Sequence, residues 1–121
     1  MSKRSGPTNT VLKNVIHELK RTGHEHSINL WRRVANDLEK PTRNRRVVNL
    51  SSINRNSKEN EVIVVPGKVL GTGSLEHKVT ISAFQFSGSA REKIRKTGSR
   101  IVSLLDLSRQ NPNGKDIRIL G

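Results

Sequence analysis

Apolar residues recur at helical spacing along the first third of the chain. Val11, Leu12, Val15, Ile16 and Leu19 fall at i, i+1, i+4, i+5 and i+8, one face of a half-buried helix. Thr8, Asn9 and Thr10 offer N-caps and Gly23 a C-cap, so the pattern predicts that this helix gives way to a polar loop from Thr22 to His26. Trp31, Val34, Ala35 and Leu38 then share a second face, with Ser27 placed to cap its start and Pro41 to force its end. Residues 8–40 therefore read as an antiparallel helical hairpin.

Beyond Glu61 the pattern changes to that of strands. Val62-Ile63-Val64-Val65 is closed by Pro66-Gly67, and Val79, Ile81 and Ala83 alternate with Thr80, Ser82 and Phe84. The glycines between them, in Lys68 to Leu75, allow tight turns and close approach of another chain. A third helix is expected from Ser89 to Thr97. Ser89 and Glu92 stand at capping-box spacing, Ala90 and Ile94 turn inward, and Gly98 lies past the end. Ile101-Val102 and Ile117 to Leu120 read as short strands, with a brief helix from Leu104 to Gln110 between them. Residues 61–121 thus read as an α/β core.

The intervening residues 41–60 are a charge anomaly. Lys40, Arg43, Arg45, Arg46, Arg55 and Lys58 occur between positions 40 and 58 without one acidic residue. Val47-Val48-Asn49-Leu50 interrupts them and the polar run Asn54 to Asn60 follows, which predicts an extended basic arm with a docking strand. The whole chain of 121 residues, sized for one domain, carries 23 Lys and Arg against 10 Asp and Glu, a net charge of +13. Only 31 % of residues are hydrophobic, so the core is small. A charge of this size repels itself unless a polyanion neutralises it, and nucleic acid is the leading partner.

Several chemistries are excluded. With no cysteine there is no disulfide, thiolate nucleophile or cysteine zinc site. No apolar run approaches the ~18 residues of a membrane span. Met1 to Pro7 has charge but no apolar run behind it, so a cytoplasmic protein without a secretory signal is expected. Gly71 and Gly73 match the start of a dinucleotide loop, but Glu76 stands where a third glycine belongs, and Lys68 is followed by Val69 rather than Ser or Thr. His17, His24, His26 and His77 lack the spacing of a helical zinc pair. Glu92, Asp106 and Asp116 read as caps and surface charges. No cofactor, metal, small-molecule substrate or catalytic activity is expected. Mixed charges at Arg32, Arg33, Asp37 and Glu39 also fit poorly with a second helix entering a DNA groove.

Arginine's planar fork suits bidentate phosphate contact, which favours Arg43, Arg45 and Arg46, and then Arg91 and Arg95 at i, i+4 on the third helix. Trp31, Phe84 and Phe86 are the only aromatics and Trp31 lies on a core face, so stacking of bases is not the expected mechanism. Recognition of folded RNA by shape and charge remains.

The run Leu38-Glu39-Lys40-Pro41-Thr42-Arg43-Asn44-Arg45-Arg46, continuing into Val48-Asn49-Leu50, resembles the signature of the archaeal and eukaryotic large-subunit ribosomal protein eighteen-e family. The stretch from Val65-Pro66-Gly67-Lys68-Val69-Leu70-Gly71-Thr72-Gly73 to Lys78-Val79-Thr80-Ile81-Ser82-Ala83, then Phe86-Ser87 and Ala90, is similar to the domain that family shares with bacterial large-subunit protein fifteen. The likeness covers essentially the whole chain, and its short length is of the archaeal kind. It implies an α/β fold in which the helical hairpin precedes a small domain of irregular β-β-α turns. It also implies a structural role on large-subunit rRNA beside other large-subunit proteins, with protein four a candidate neighbour. Lys40, Arg43, Asn44, Arg45 and Arg46 carry over by motif as rRNA contacts, and Gly67, Lys68, Gly71 and Gly73 as a conformationally demanding loop near RNA. Together with Lys3, Arg4, Arg55, Lys58, Lys78, Arg91 and Arg95, taken from the charge pattern, these residues, Gly67 aside, make the expected rRNA-binding set.

Overall fold

The computed structural model describes residues 10–26, 29–40, 46–111, 114 and 116–120. Its elements are α1 (Thr10–His26), α2 (Asn29–Glu39), β1 (Arg46–Asn49), α3 (Leu50–Asn56), β2 (Val62–Leu70), β3 (Thr80–Phe86), α4 (Gly88–Lys96), β4 (Arg100–Val102), α5 (Leu104–Gln110) and β5 (Ile117–Ile119). They group into two units, Met1–Arg45 with Leu105–Lys115, and Arg46–Leu104 with Asp116–Gly121.

In the first unit the stripe Leu12, Val15, Ile16 and Leu19 is buried, and it extends to Gly23. The helix does not stop there as expected. Gly23 follows Leu19 by four residues, so it lies on the same buried stripe, and the turn Thr22–His26 is the end of α1 rather than a loop. The ~1 kcal/mol that a helical glycine costs relative to alanine is offset by continued burial of that face. His24 and His26 sit in the last turn, where partial negative charge on free carbonyls favours cations. Trp31, Val34, Ala35 and Leu38 of α2 are buried as expected, and the helix ends at Glu39, before Pro41. Ser27, the expected cap, lies outside the described residues. Lys20 of α1 meets Glu39 of α2 at 2.8 Å.

The second unit is built on a sheet in which every pairing among the described residues is parallel, in the order β1-β2-β3-β4. Along the edge of β2 away from β3, β5 pairs with Val62–Val64 and β1 with Gly67–Leu70. The first predicted strand was expected to close at Pro66-Gly67, yet β2 runs through both to Leu70. A register shift against β3 between Val65 and Lys68 accommodates the proline, which has no N–H to give the ladder. The expected arm changes more. From Arg46 onward it is the docking strand β1 and then a helix, α3, rather than extended chain. Leu50 and Ile53, three residues apart and fully buried, are enough to anchor seven residues of helix.

Helix α4 begins earlier than the capping box implied. Its N-cap is Ser87, whose hydroxyl accepts from the Ala90 N–H at 3.1 Å, so Glu92 lies too far along to complete a box with it. The far end follows expectation, with Gly98 at φ +79 and paired bonds from Gly98 N to Arg95 O (3.0 Å) and Ser99 N to Ile94 O (3.2 Å). Both α3 and α4 pack on one face of the sheet over Val48, Ile63, Val65, Val69, Ile81 and Ala83. On the other face Val64, Ser82 and Val102, adjacent in register, are also buried. Such two-sided burial is usual for parallel sheets.

Candidate nucleic-acid interface

The connection from β2 to β3 shapes the region where a parallel α/β sheet usually holds a ligand, beyond the carboxyl ends of its strands. It consists of residues 71–79 without a helix, shorter than the dozen or more residues that parallel crossovers usually take. A tight path needs glycine. A Cβ on Gly71 would lie 2.8 Å from the Ala90 backbone nitrogen at the start of α4. Gly73, at φ +89, would place one 2.9 Å from the Ser51 nitrogen at the start of α3. The close approach that these glycines permit is therefore to this chain's own helices.

Polar side chains fix the loop in place. Ser51 N donates to Thr72 O at 3.1 Å, and Asn54 exchanges two hydrogen bonds with Glu76, of 2.9 and 3.3 Å. Ser57 Oγ meets His77 Nε2 at 2.8 Å. Lys93, reaching back from α4, donates to the carbonyl oxygens of Gly71 (2.7 Å) and Gly73 (2.8 Å). Among the described residues no group of His, Cys, Asp and Glu could hold a metal ion, and no helix is long and apolar enough to cross a membrane.

The expected binding residues fall in several places. Lys3, Arg4, Arg43, Asn44 and Arg45 lie outside the described residues; the backbone of Arg46 opens β1, opposite Gly67. Lys40 follows α2 and pairs with the buried Asp37 at 3.2 Å. Arg55 is exposed at the end of α3, with Lys58 just beyond. Lys68 is exposed on the sheet face opposite α3 and α4, in a row with exposed Val47 and Gln85. Arg91 and Arg95 are exposed on α4, the Arg91 guanidinium standing 5.5 Å from the Phe86 ring centroid. Lys78 lines a shallow groove with Arg100 at the amino ends of β3 and β4.

In the second unit Arg100 and Arg118 escaped the sequence reading. Arg100 opens a strand too short to be noticed for charge. Arg118 pairs with Glu61 at 3.1 Å, and the Lys58 backbone N–H donates to the same carboxylate at 2.6 Å. The Lys58 amide first and then the Arg118 guanidinium hold Glu61 below the usual carboxylate range. In the first unit Arg21 bonds Glu18 (2.8 Å) and Glu25 (3.2 Å), and its hydrogen bond lowers the Glu18 pKa likewise.

In the second unit, exposed cations thus occupy both faces of the sheet and its amino end. A rigid duplex lies along one side of a small unit, whereas a folded polyanion can surround it. Cations spread in this way define a class of basic proteins that meet a polyanion by their surface. The model of the family described as ribosomal protein 60S L18 and 50S L18e matches residues 3–121. Over 120 residues the chain is 42 % identical to the large ribosomal subunit protein eL18 of Methanothermobacter thermautotrophicus, covering 99 % of each chain. The corresponding protein of Sulfurisphaera tokodaii is 42 % identical over 99 % of this chain and 98 % of its own, and that of Methanoregula boonei 44 % over 99 % of both. The chain belongs to the ribosomal protein 60S L18 and 50S L18e family. It is a structural constituent of the large ribosomal subunit in the cytoplasm rather than an enzyme, with rRNA and other ribosomal proteins as partners.

Proposed function

We propose that this protein clamps separate segments of folded large-subunit rRNA by neutralising their phosphates from several sides at once. The observation that carries this reading is the placement of Lys68 on one sheet face, Arg91 and Arg95 on the helix layer of the other, and Lys78 with Arg100 at the strand ends. The segment Arg43-Asn44-Arg45-Arg46, with Lys40 before it and Arg55 and Lys58 after it, adds an arginine-rich contact, and Lys3 and Arg4 a further one. Gly71 and Gly73 serve by shaping the loop beside Lys68 rather than by touching RNA. Protein four is a neighbour on the reading drawn from the family resemblance, and crosslinking within intact subunits checks it.

Replacing Arg43, Arg45 and Arg46 with alanine tests the phosphate role. The log-log salt dependence of binding to an rRNA fragment should flatten by about 0.7 to 0.9 for each phosphate that is no longer neutralised. An unchanged slope removes this segment from the interface.

A further inference from the structure

Between α4 and β4 lies a groove of about 270 Å³ lined by Arg91, Ile94, Arg95, Ser99 and Ile101. Its chemistry differs from that of the other cationic places. Ile101, half-buried at the edge of the core, gives it an apolar floor above the fully buried Ile94, and Arg91 and Arg95 also line it. Arg91, which lines the groove, also stands over the Phe86 ring, 5.5 Å from its centroid. Neither Arg91 nor Arg95 has an acidic partner within α4's own turns, since Glu92 is paired with Lys96 at 3.7 Å.

An apolar floor lined by two arginines suits a group that is flat and apolar in the middle and anionic at its edge. A phosphate on paired RNA makes no use of the floor. An unpaired nucleotide uses both parts, its base on Ile101 and one guanidinium and its phosphate on the second arginine. Resting on the rRNA reading above, we propose that this groove receives a single extruded nucleotide of rRNA. Base contact is then added to phosphate neutralisation at this place, although the three aromatics of the sequence pointed away from it. Charge complementarity selects the occupant: the chain is at +13, and an acidic side chain would leave the floor unfilled.

The test uses the full chain and two RNA hairpins of equal charge spacing, one fully paired and one carrying a single bulged 2-aminopurine. The bulged hairpin should bind about tenfold more tightly, with a fluorescence change at the bulge. Arg91→Lys, which keeps the charge but loses the plane, and Ile101→Ser, which removes part of the floor, should each bring the affinity ratio towards one. Thermal melts verify that both variants fold. Equal affinity of the wild-type protein for the two hairpins overturns the proposal, as does a preference that survives both substitutions. In either case salt-dependent binding of the paired hairpin would leave the phosphate-clamp reading standing, while loss of all RNA binding would refute that reading itself.

Discussion

Adding one methyl group at Gly73 tests the claim that this loop is held against the chain's own helices. Two effects sum. Gly73 sits at φ +89, a left-handed conformation that costs an L-residue about 1 to 2 kcal/mol. The new Cβ would also stand 2.5 Å from the Ser51 Cβ and 2.9 Å from its nitrogen, and overpacking of this kind costs about 1 to 3 kcal/mol. Gly73→Ala should therefore lower stability by about 2 to 5 kcal/mol. At Gly71 the left-handed contribution is absent, and a Cβ 2.9 Å from the Ser89 carbonyl carbon leaves about 1 to 3 kcal/mol. Gly88, the first residue of α4, is the control, because a Cβ there meets nothing within 4 Å and alanine favours the helix. Urea denaturation followed by far-ultraviolet circular dichroism reads all three. With an m-value of about 1 to 3 kcal/mol/M, the Gly73→Ala midpoint should fall by about 1 M or more, while Gly88→Ala should match or slightly exceed wild type. A Gly73→Ala midpoint equal to wild type would refute the assignment of these glycines to internal packing and return them to the RNA surface.

Three further outcomes are expected. Lys93→Met, which retains most of the stem but removes the bonds to Gly71 and Gly73, should lower stability by about 1.5 kcal/mol or more by the same urea titration. Ser87→Ala should cost about 1 kcal/mol by removing the cap on Ala90, whereas Ser89→Ala should be near neutral. Glu61 has a lowered pKa when folded, so its stabilisation is present above the unfolded carboxylate pKa and is lost as pH falls through the lower folded value. Glu61→Gln should accordingly make the urea midpoint fall less steeply in acid, and an unaltered acid limb would exclude the Lys58 and Arg118 bonds as the cause.

Much of this protein is legible in its periodicity and charge. The stripes of α1 and α2, the short strands β4 and β5, the inward Ala90 and Ile94, and the excess of arginine are all local signals, because burial of one face repeats with the helical or strand period. What escaped them depends on partners distant in sequence. Leu50 and Ile53 are too few to announce a helix, and Asn54 and Ser57 read as part of an extended polar run until Glu76 and His77 are placed against them. Gly23 reads as a stop signal unless the stripe it continues is known to be covered. Gly71 and Gly73 read as an approach for RNA, and the fold instead uses the space they leave for α3 and α4. Nothing in the spacing of Lys93 sets it apart from the other cations of α4, yet it donates to two carbonyls of the loop. Residue types and spacing determined which segments bury a face and that the partner is a polyanion. Which polar groups face inward, and on which sides the remaining cations stand, was decided by a parallel sheet whose hydrogen bonds join segments far apart in the chain.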